Sequence, residues 1–189
     1  MGREFELKFA ATPEKLTEIY SQWQGWEEIS METTYFDTPD RRLSKKHCTL
    51  RRRMENGISV CTMKTPADGF GRGEWDLQAP WNEETVEKLF TKAAQEQIPF
   101  SELSAVCGAR FLRKAKMVVL KDCTVEIALD QGVLLGGGKE IPLCEMEVEL
   151  KSGSEDAVLQ WAGELAVCYD LKVEHQSKFK RAVALAQEA

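Results

Sequence analysis

The chain is poor in the residues that build most soft-metal and nucleophile sites. It has only two histidines, His47 and His175, and their spacing suits no zinc site. Its six cysteines, Cys48, Cys61, Cys107, Cys123, Cys144 and Cys168, form no CxxC pair. They read as buried free thiols of a reducing compartment, and a catalytic Cys–His pair is not expected. No apolar run approaches the ~20 residues that span a bilayer, so no membrane partner is expected. Residues 1–6 carry no apolar signal-peptide core, which makes a cytoplasmic location the expectation. There is no internal repeat and no low-complexity linker. An excess of basic charge is also missing: the net charge is −6, which argues against nucleic acid as a partner.

What is present suits one globular domain over residues 1–189. Hydrophobic residues make up 43% and charged residues 30% of the chain. Alternation predicts strands at 3–9, 33–37, 49–54, 58–65, 72–79, 110–120, 124–130 and about 141–150. Asn56-Gly57 marks a tight hairpin. Turns are expected at Thr38-Pro39-Asp40, at Pro66-Ala67-Asp68-Gly69 and at Gly136-Gly137-Gly138. Helices are predicted after Thr12-Pro13, over 82–95, over 154–167 and over 177–186, with a helical turn at 101–106. The expected fold is α+β: antiparallel strands closing into a barrel, with the amphipathic helices on its outside.

The strands alternate in an unusual way. Ordinary half-buried strands alternate apolar with mixed polar residues. Here the polar side carries concentrated charge in strand after strand. Glu4, Glu6 and Lys8 share one face, with Phe5, Leu7 and Phe9 on the other. Arg51 and Arg53 share a face, and Lys64 ends the partner strand. Arg72, Glu74 and Asp76 do the same, as do Glu126 and Asp130, and Glu145, Glu147 and Glu149. Same-face neighbours lie roughly 6.6 Å apart, twice the strand rise. One such strand is an ordinary solvated face. Five together imply an inverted arrangement, with charge inside and apolar sides under helices. Crowded carboxylates favour a divalent cation, and crowded guanidinium and ammonium groups favour a polyanion. A metal-bound polyphosphate satisfies both. Oxygen donors without Cys or His point to Mg²⁺ or Mn²⁺.

Glu4-Phe5-Glu6-Leu7-Lys8 resembles the ExExK signature of the CYTH superfamily, the triphosphate tunnel metalloenzymes. The resemblance continues in order through Tyr35-Phe36-Asp37-Thr38, Leu50-Arg51-Arg52-Arg53, Thr62-Met63-Lys64, Arg72-Gly73-Glu74, Phe111-Leu112-Arg113, Glu126–Asp130, Cys144–Leu150 and Ser177-Lys178. ExExK alone is short, but the ordered set is specific. The 111–132 and 144–153 stretches are most similar to bacterial inorganic triphosphatases.

The resemblance implies an eight-stranded antiparallel closed β-barrel, a tunnel with a charged lumen. It implies Mg²⁺- or Mn²⁺-dependent hydrolysis of a linear triphosphate, inorganic tripolyphosphate foremost. Metal ligands would be Glu4 and Glu6 with carboxylates from Glu145, Glu147 and Glu149. Lys8, Arg51, Arg53, Lys64, Arg113 and Lys178 would grip phosphate, joined on charge pattern by Arg72. Glu74 and Asp130 would be further acidic residues of the catalytic set, with Glu4, Glu6, Lys8 and Lys64. Phe111 stands where some members have lysine. The same grip would serve a class IV adenylyl cyclase, a thiamine or nucleoside triphosphatase, or a non-enzymatic polyphosphate-binding module. The partner is a small-molecule triphosphate; the oligomeric state stays open, a homodimer included.

Overall fold

The computed structural model describes residues 2–66 and 72–187, apart from the side chains of residues 2–4 and 72. Ten strands and five helices alternate along it. In order they are β1 (Gly2–Glu4), β2 (Glu6–Ala10), α1 (Pro13–Ser21), β3 (Glu27–Asp37), α2 (Arg42–Lys45), β4 (Thr49–Glu55), β5 (Ile58–Pro66) and β6 (Arg72–Gln78). There follow α3 (Glu83–Lys92), β7 (Ser104–Val119), β8 (Cys123–Gly136), β9 (Lys139–Gly153), α4 (Glu155–Cys168), β10 (Lys172–Val173) and α5 (Lys178–Gln187).

Local chemistry explains most boundaries. Thr12 caps α1 by accepting from the Lys15 N–H, with Pro13 at the first helical position. Asn82 and Ser154 cap α3 and α4 in the same way. Asn56 and Gly57, at φ 49° and 84°, turn β4 into β5, and Gly137 and Gly138, at φ 58° and 75°, turn β8 into β9. The turn expected at Pro66–Gly69 lies mostly outside the described residues. The helical turn expected at 101–106 is a single short turn at Phe100–Glu102, and β7 begins by Ser104. The helix α2 and the two-residue β10 carry no periodic signal in the sequence, being too short for one.

All ladders are antiparallel, in the order β1-β6-β5-β4-β3-β7-β8-β9-β2-β10. This corrects the expectation of an eight-stranded closed barrel. The sheet has ten strands in a linear order whose ends are β1 and β10, and no ladder among the described residues joins those ends. The reason is a break in the N-terminal segment at Phe5. β1 pairs with β6, whereas β2, one residue later, pairs with β9 at the other end of the order. β10 then adds to the free side of β2.

The partition of faces follows the alternation. The apolar sides of β2, β8 and β9 (Phe9, Val125, Ile127, Leu129, Met146, Val148) pack on Leu16 and Ile19 of α1 and on Val158 and Ala162 of α4. Leu50, Cys61 and Met63 pack on Val86, Leu89 and Phe90 of α3. A third cluster joins Met31, Ala109, Phe111, Leu134 and Leu143 to Ala182 of α5. Each fully buried side chain of this size contributes about 1.5–3 kcal/mol. Trp23 and Trp161 pack against the first cluster, and Trp75 and Trp81 against the second. α5 lies close on β8, where a Cβ at Gly136 would come within 2.2 Å of the Ala182 carbonyl oxygen. All six cysteines are free; contrary to the buried expectation, Cys168 is exposed and Cys107 and Cys144 are only partly buried. No helix among the described residues is long and apolar enough to cross a membrane.

Candidate active site

The charged faces meet at one cavity of about 1070 Å³, lined by residues of all eight strands from β2 to β9 and by the starts of α4 and α5. It gathers Glu6, Lys8, Arg51, Arg53, Lys64, Glu74, Arg113, Glu147, Glu149 and Lys178 from the residues expected at the site. The side chains of Glu4 and Arg72 lie outside what the structure describes. Glu145 and Asp130 do not line the cavity; both are fully buried behind it.

Two layers of charge can be distinguished. The deeper layer centres on Lys178, the first residue of α5. Its ammonium lies 2.7 Å from Asp130 Oδ2 and 2.7 Å from Glu147 Oε1, and also contacts Glu145 Oε1. Arg113 grips Asp130 with two parallel bonds of 2.8 and 2.7 Å and touches Glu147 Oε2. Arg181, one helical turn beyond Lys178, takes the second oxygen of Glu145. The shifts follow. Burial opposes ionisation of Glu147, but Lys178 and Arg113 outweigh it and hold the carboxyl well below its usual range. At Glu145 burial dominates and the pKa rises despite Lys178. Burial also opposes the charge on Lys178 and on Arg113, and the surrounding carboxylates overcome it in both, raising their pKa values.

Asp130, Glu145 and Glu147 bring carboxylate oxygens within 4.8 Å of one another, the spacing of a metal site. That space is taken by the Lys178 ammonium, so the trio serves the chain's own cation.

The shallower layer faces the cavity. Glu74 receives Arg51 and Lys64, each at 3.3 Å. The Lys8 ammonium donates to Glu6 Oε1 at 2.7 Å; burial works against its charge, but Glu6 and Glu147 raise its pKa. Arg53 is different. It donates to the Thr33 hydroxyl at 3.2 Å and lies 3.8 Å from Glu55. Burial, then repulsion from Arg51 and Arg113, lowers its pKa to about 10. Such a guanidinium gains from any anion that enters. Across the cavity Glu6, Glu149 and Glu126 stand in register on β2, β9 and β8. They are hard oxygen donors, and no His or Cys lines the cavity among the described residues. This donor set fits Mg²⁺ or Mn²⁺ and not a thiophilic metal.

The cavity thus brings basic groups and carboxylates together from strands far apart in the chain. A CYTH domain model matches residues 2–183. The chain belongs to the CYTH family. An inorganic triphosphatase of Haemophilus influenzae is 30% identical over the whole chain, which spans 56% of that protein's length. Among solved structures, PH1819 of Pyrococcus horikoshii superposes with a TM-score of 0.63 at 21% identity, covering 98% of this chain and 99% of that one. HpAC1 of Hippeastrum, whose structure is described with a dominant triphosphatase activity, gives 0.63 at 15% identity, over 100% and 96%. At these identities the structural likeness concerns the fold alone.

Arg181, Lys151 and Glu126 belong to these layers without having been singled out as site residues. Their signals were present: Arg181 is three after Lys178 on a helix, Lys151 two after Glu149 on a strand, and Glu126 four before Asp130.

Proposed function

We propose that this CYTH protein hydrolyses a linear triphosphate, inorganic tripolyphosphate foremost, with Mg²⁺ or Mn²⁺. The observation that carries the reading is Arg53: a buried guanidinium, repelled by two others, facing a cavity rimmed by oxygen donors. The relative named inorganic triphosphatase supports the choice of substrate.

Arg51, Arg53, Lys64 and Arg113 would receive the phosphate oxygens, the arginines through paired N–H bonds. Lys8, tethered to Glu6, adds an ammonium between the phosphates and the acidic wall. Glu74 holds Arg51 and Lys64 at the height where they can act together. Glu6 and Glu149, with Glu126 beside them, would hold the divalent cation. When bound, the cation supplies charge neutralisation and activation of water. Water attacks the terminal phosphorus in line; its oxygen forms the new P–O bond as the bridging P–O bond breaks, diphosphate leaves, and the water's proton passes to a carboxylate or solvent. The wall of basic groups stabilises charge on the departing bridging oxygen. No residue needs to become covalently phosphorylated.

Phosphate release from tripolyphosphate, ATP and thiamine triphosphate tests this, with Mg²⁺, Mn²⁺ or EDTA, and with cyclic AMP measured alongside. Tripolyphosphate is expected to be turned over fastest, no turnover is expected in EDTA, and Glu6→Gln is expected to lower turnover at least ~100-fold in a folded protein. Wild-type turnover by Glu6→Gln would overturn the assignment of Glu6. Tight tripolyphosphate binding without hydrolysis would favour a binding module.

A further inference from the structure

Where β2, β9 and β8 lie side by side, three carboxylates stand abreast. Glu6 is opposite Glu149, and Glu149 is opposite Glu126. All three line the cavity. Directly opposed residues on one sheet face have Cβ atoms about 4.5–5.5 Å apart. Three anions so placed repel one another unless a cation joins them. The chain supplies its own. Lys151 lies two residues beyond Glu149 on β9, and its ammonium is 2.8 Å from Glu149 Oε2 and 3.6 Å from Glu126 Oε1. Its side chain is 34% exposed and lines the same cavity. Lys8 attends to Glu6 in a parallel way, at 2.7 Å.

We propose that Lys151 is an internal competitor for the divalent cation, a positioning residue whose ammonium bridges Glu149 and Glu126 and must leave before those oxygens can bind metal. The inference rests on the metal-assisted reading above. Lys178, in the deeper layer, is enclosed by three carboxylates and is only 6% exposed, so it stays. Lys151 has a flexible stem and a third of its surface in water, so it can swing out at small cost. A free cation therefore competes with an attached one. A cation arriving with a triphosphate is also held by phosphate oxygens and displaces Lys151 more readily. The lysine thus makes the site favour the metal–polyphosphate complex over free metal.

Binding of Mn²⁺ to the full chain is measured from the resonance signal of the unbound ion, without substrate. Lys151→Met is expected to bind Mn²⁺ roughly 3- to 10-fold more tightly than wild type. Lys151→Arg, which keeps the charge, should bind no more tightly than wild type. Lys92→Met, which removes an exposed lysine on α3, should leave the affinity unchanged, since distant surface charge is screened. Tripolyphosphate affinity in EDTA should stay within about 2-fold of wild type in Lys151→Met, because on this account the lysine serves carboxylates and not phosphate. Equal or weaker Mn²⁺ binding by Lys151→Met, beside measurable binding by wild type, overturns the proposal and leaves the metal reading standing. A large loss of metal-free tripolyphosphate affinity would make Lys151 a phosphate ligand and overturn it too. No Mn²⁺ binding by either protein overturns the metal reading, and this proposal with it.

Discussion

Around Lys178, three cations and three carboxylates close on one another; around Arg53, the like charges of Arg51 and Arg113 press on a guanidinium that lines the cavity. The two regions are built from the same residue types on neighbouring strands. In the deeper one every carboxylate oxygen named has a cation in contact, and α5 delivers two of the three cations by way of Lys178 and Arg181. In the shallower one Arg53 donates to a threonine hydroxyl and lies 3.8 Å from a carboxylate, and its pKa falls to about 10. The first region is an internal salt; the second would gain stability from an arriving polyanion. Buried charge becomes structural where partners come from the chain, and functional where they come from outside.

Breaking the internal salt should have the largest effect. Glu147→Gln leaves Lys178 and Arg113 each short of a buried partner, and a loss of about 3–5 kcal/mol in unfolding free energy is expected. The sign of its pH dependence follows from the lowered pKa. The Glu147 carboxylate stabilises the fold fully above its unfolded pKa of about 4.3, and that contribution disappears as the pH falls through its lower folded value. The gap between wild type and Glu147→Gln in urea unfolding should therefore narrow below about pH 4. A constant gap across that range would place the stabilisation elsewhere.

The shallower region should respond the other way. Arg53→Met is expected to cost about 100-fold in tripolyphosphate turnover, about 2.7 kcal/mol of transition-state stabilisation. Thermal stability should be unchanged or higher, since a buried and repelled charge is removed. Loss of fold on removing Arg53 would erase the distinction between the two regions. The smallest effect sets the scale for a change outside both. Asn82→Ala removes the α3 cap, which accepts from the Thr85 N–H at 2.9 Å, and should cost about 1 kcal/mol and lower the melting temperature by about 2–4 °C with turnover intact. A change in turnover there would mean that α3 reports to the cavity.

Much of the site was legible because strand alternation is a local property. Glu6 and Lys8, Arg51 and Arg53, and Glu147 and Glu149 had to share faces once their segments were strands. The same rule holds for Glu145, yet its face-mates line the cavity and it does not. The difference comes from α5, which packs over β7 and β8 and brings Lys178 and Arg181 to both of its oxygens. Nothing near residue 145 in the sequence announces residues 178 and 181. Strand lengths were read short for a related reason. β7 and β8 run on through Gly108 and Gly132, which weaken the local pattern but are needed where backbones come close: a Cβ at Gly132 would lie 2.2 Å from the Arg110 carbonyl oxygen.

By itself, the sequence determined which residues are charged together, which are apolar together, and where the turns and helix caps fall, because these depend on spacing and on backbone chemistry within a few residues. Tertiary structure alone decided that the sheet has ten strands in an open order broken at Phe5, that Lys178 occupies the three-carboxylate niche, and that Lys151 bridges Glu149 and Glu126. Those outcomes depend on register between distant strands and on where a terminal helix docks. Both are set by the sum of many long-range contacts, and no local window of residues encodes them.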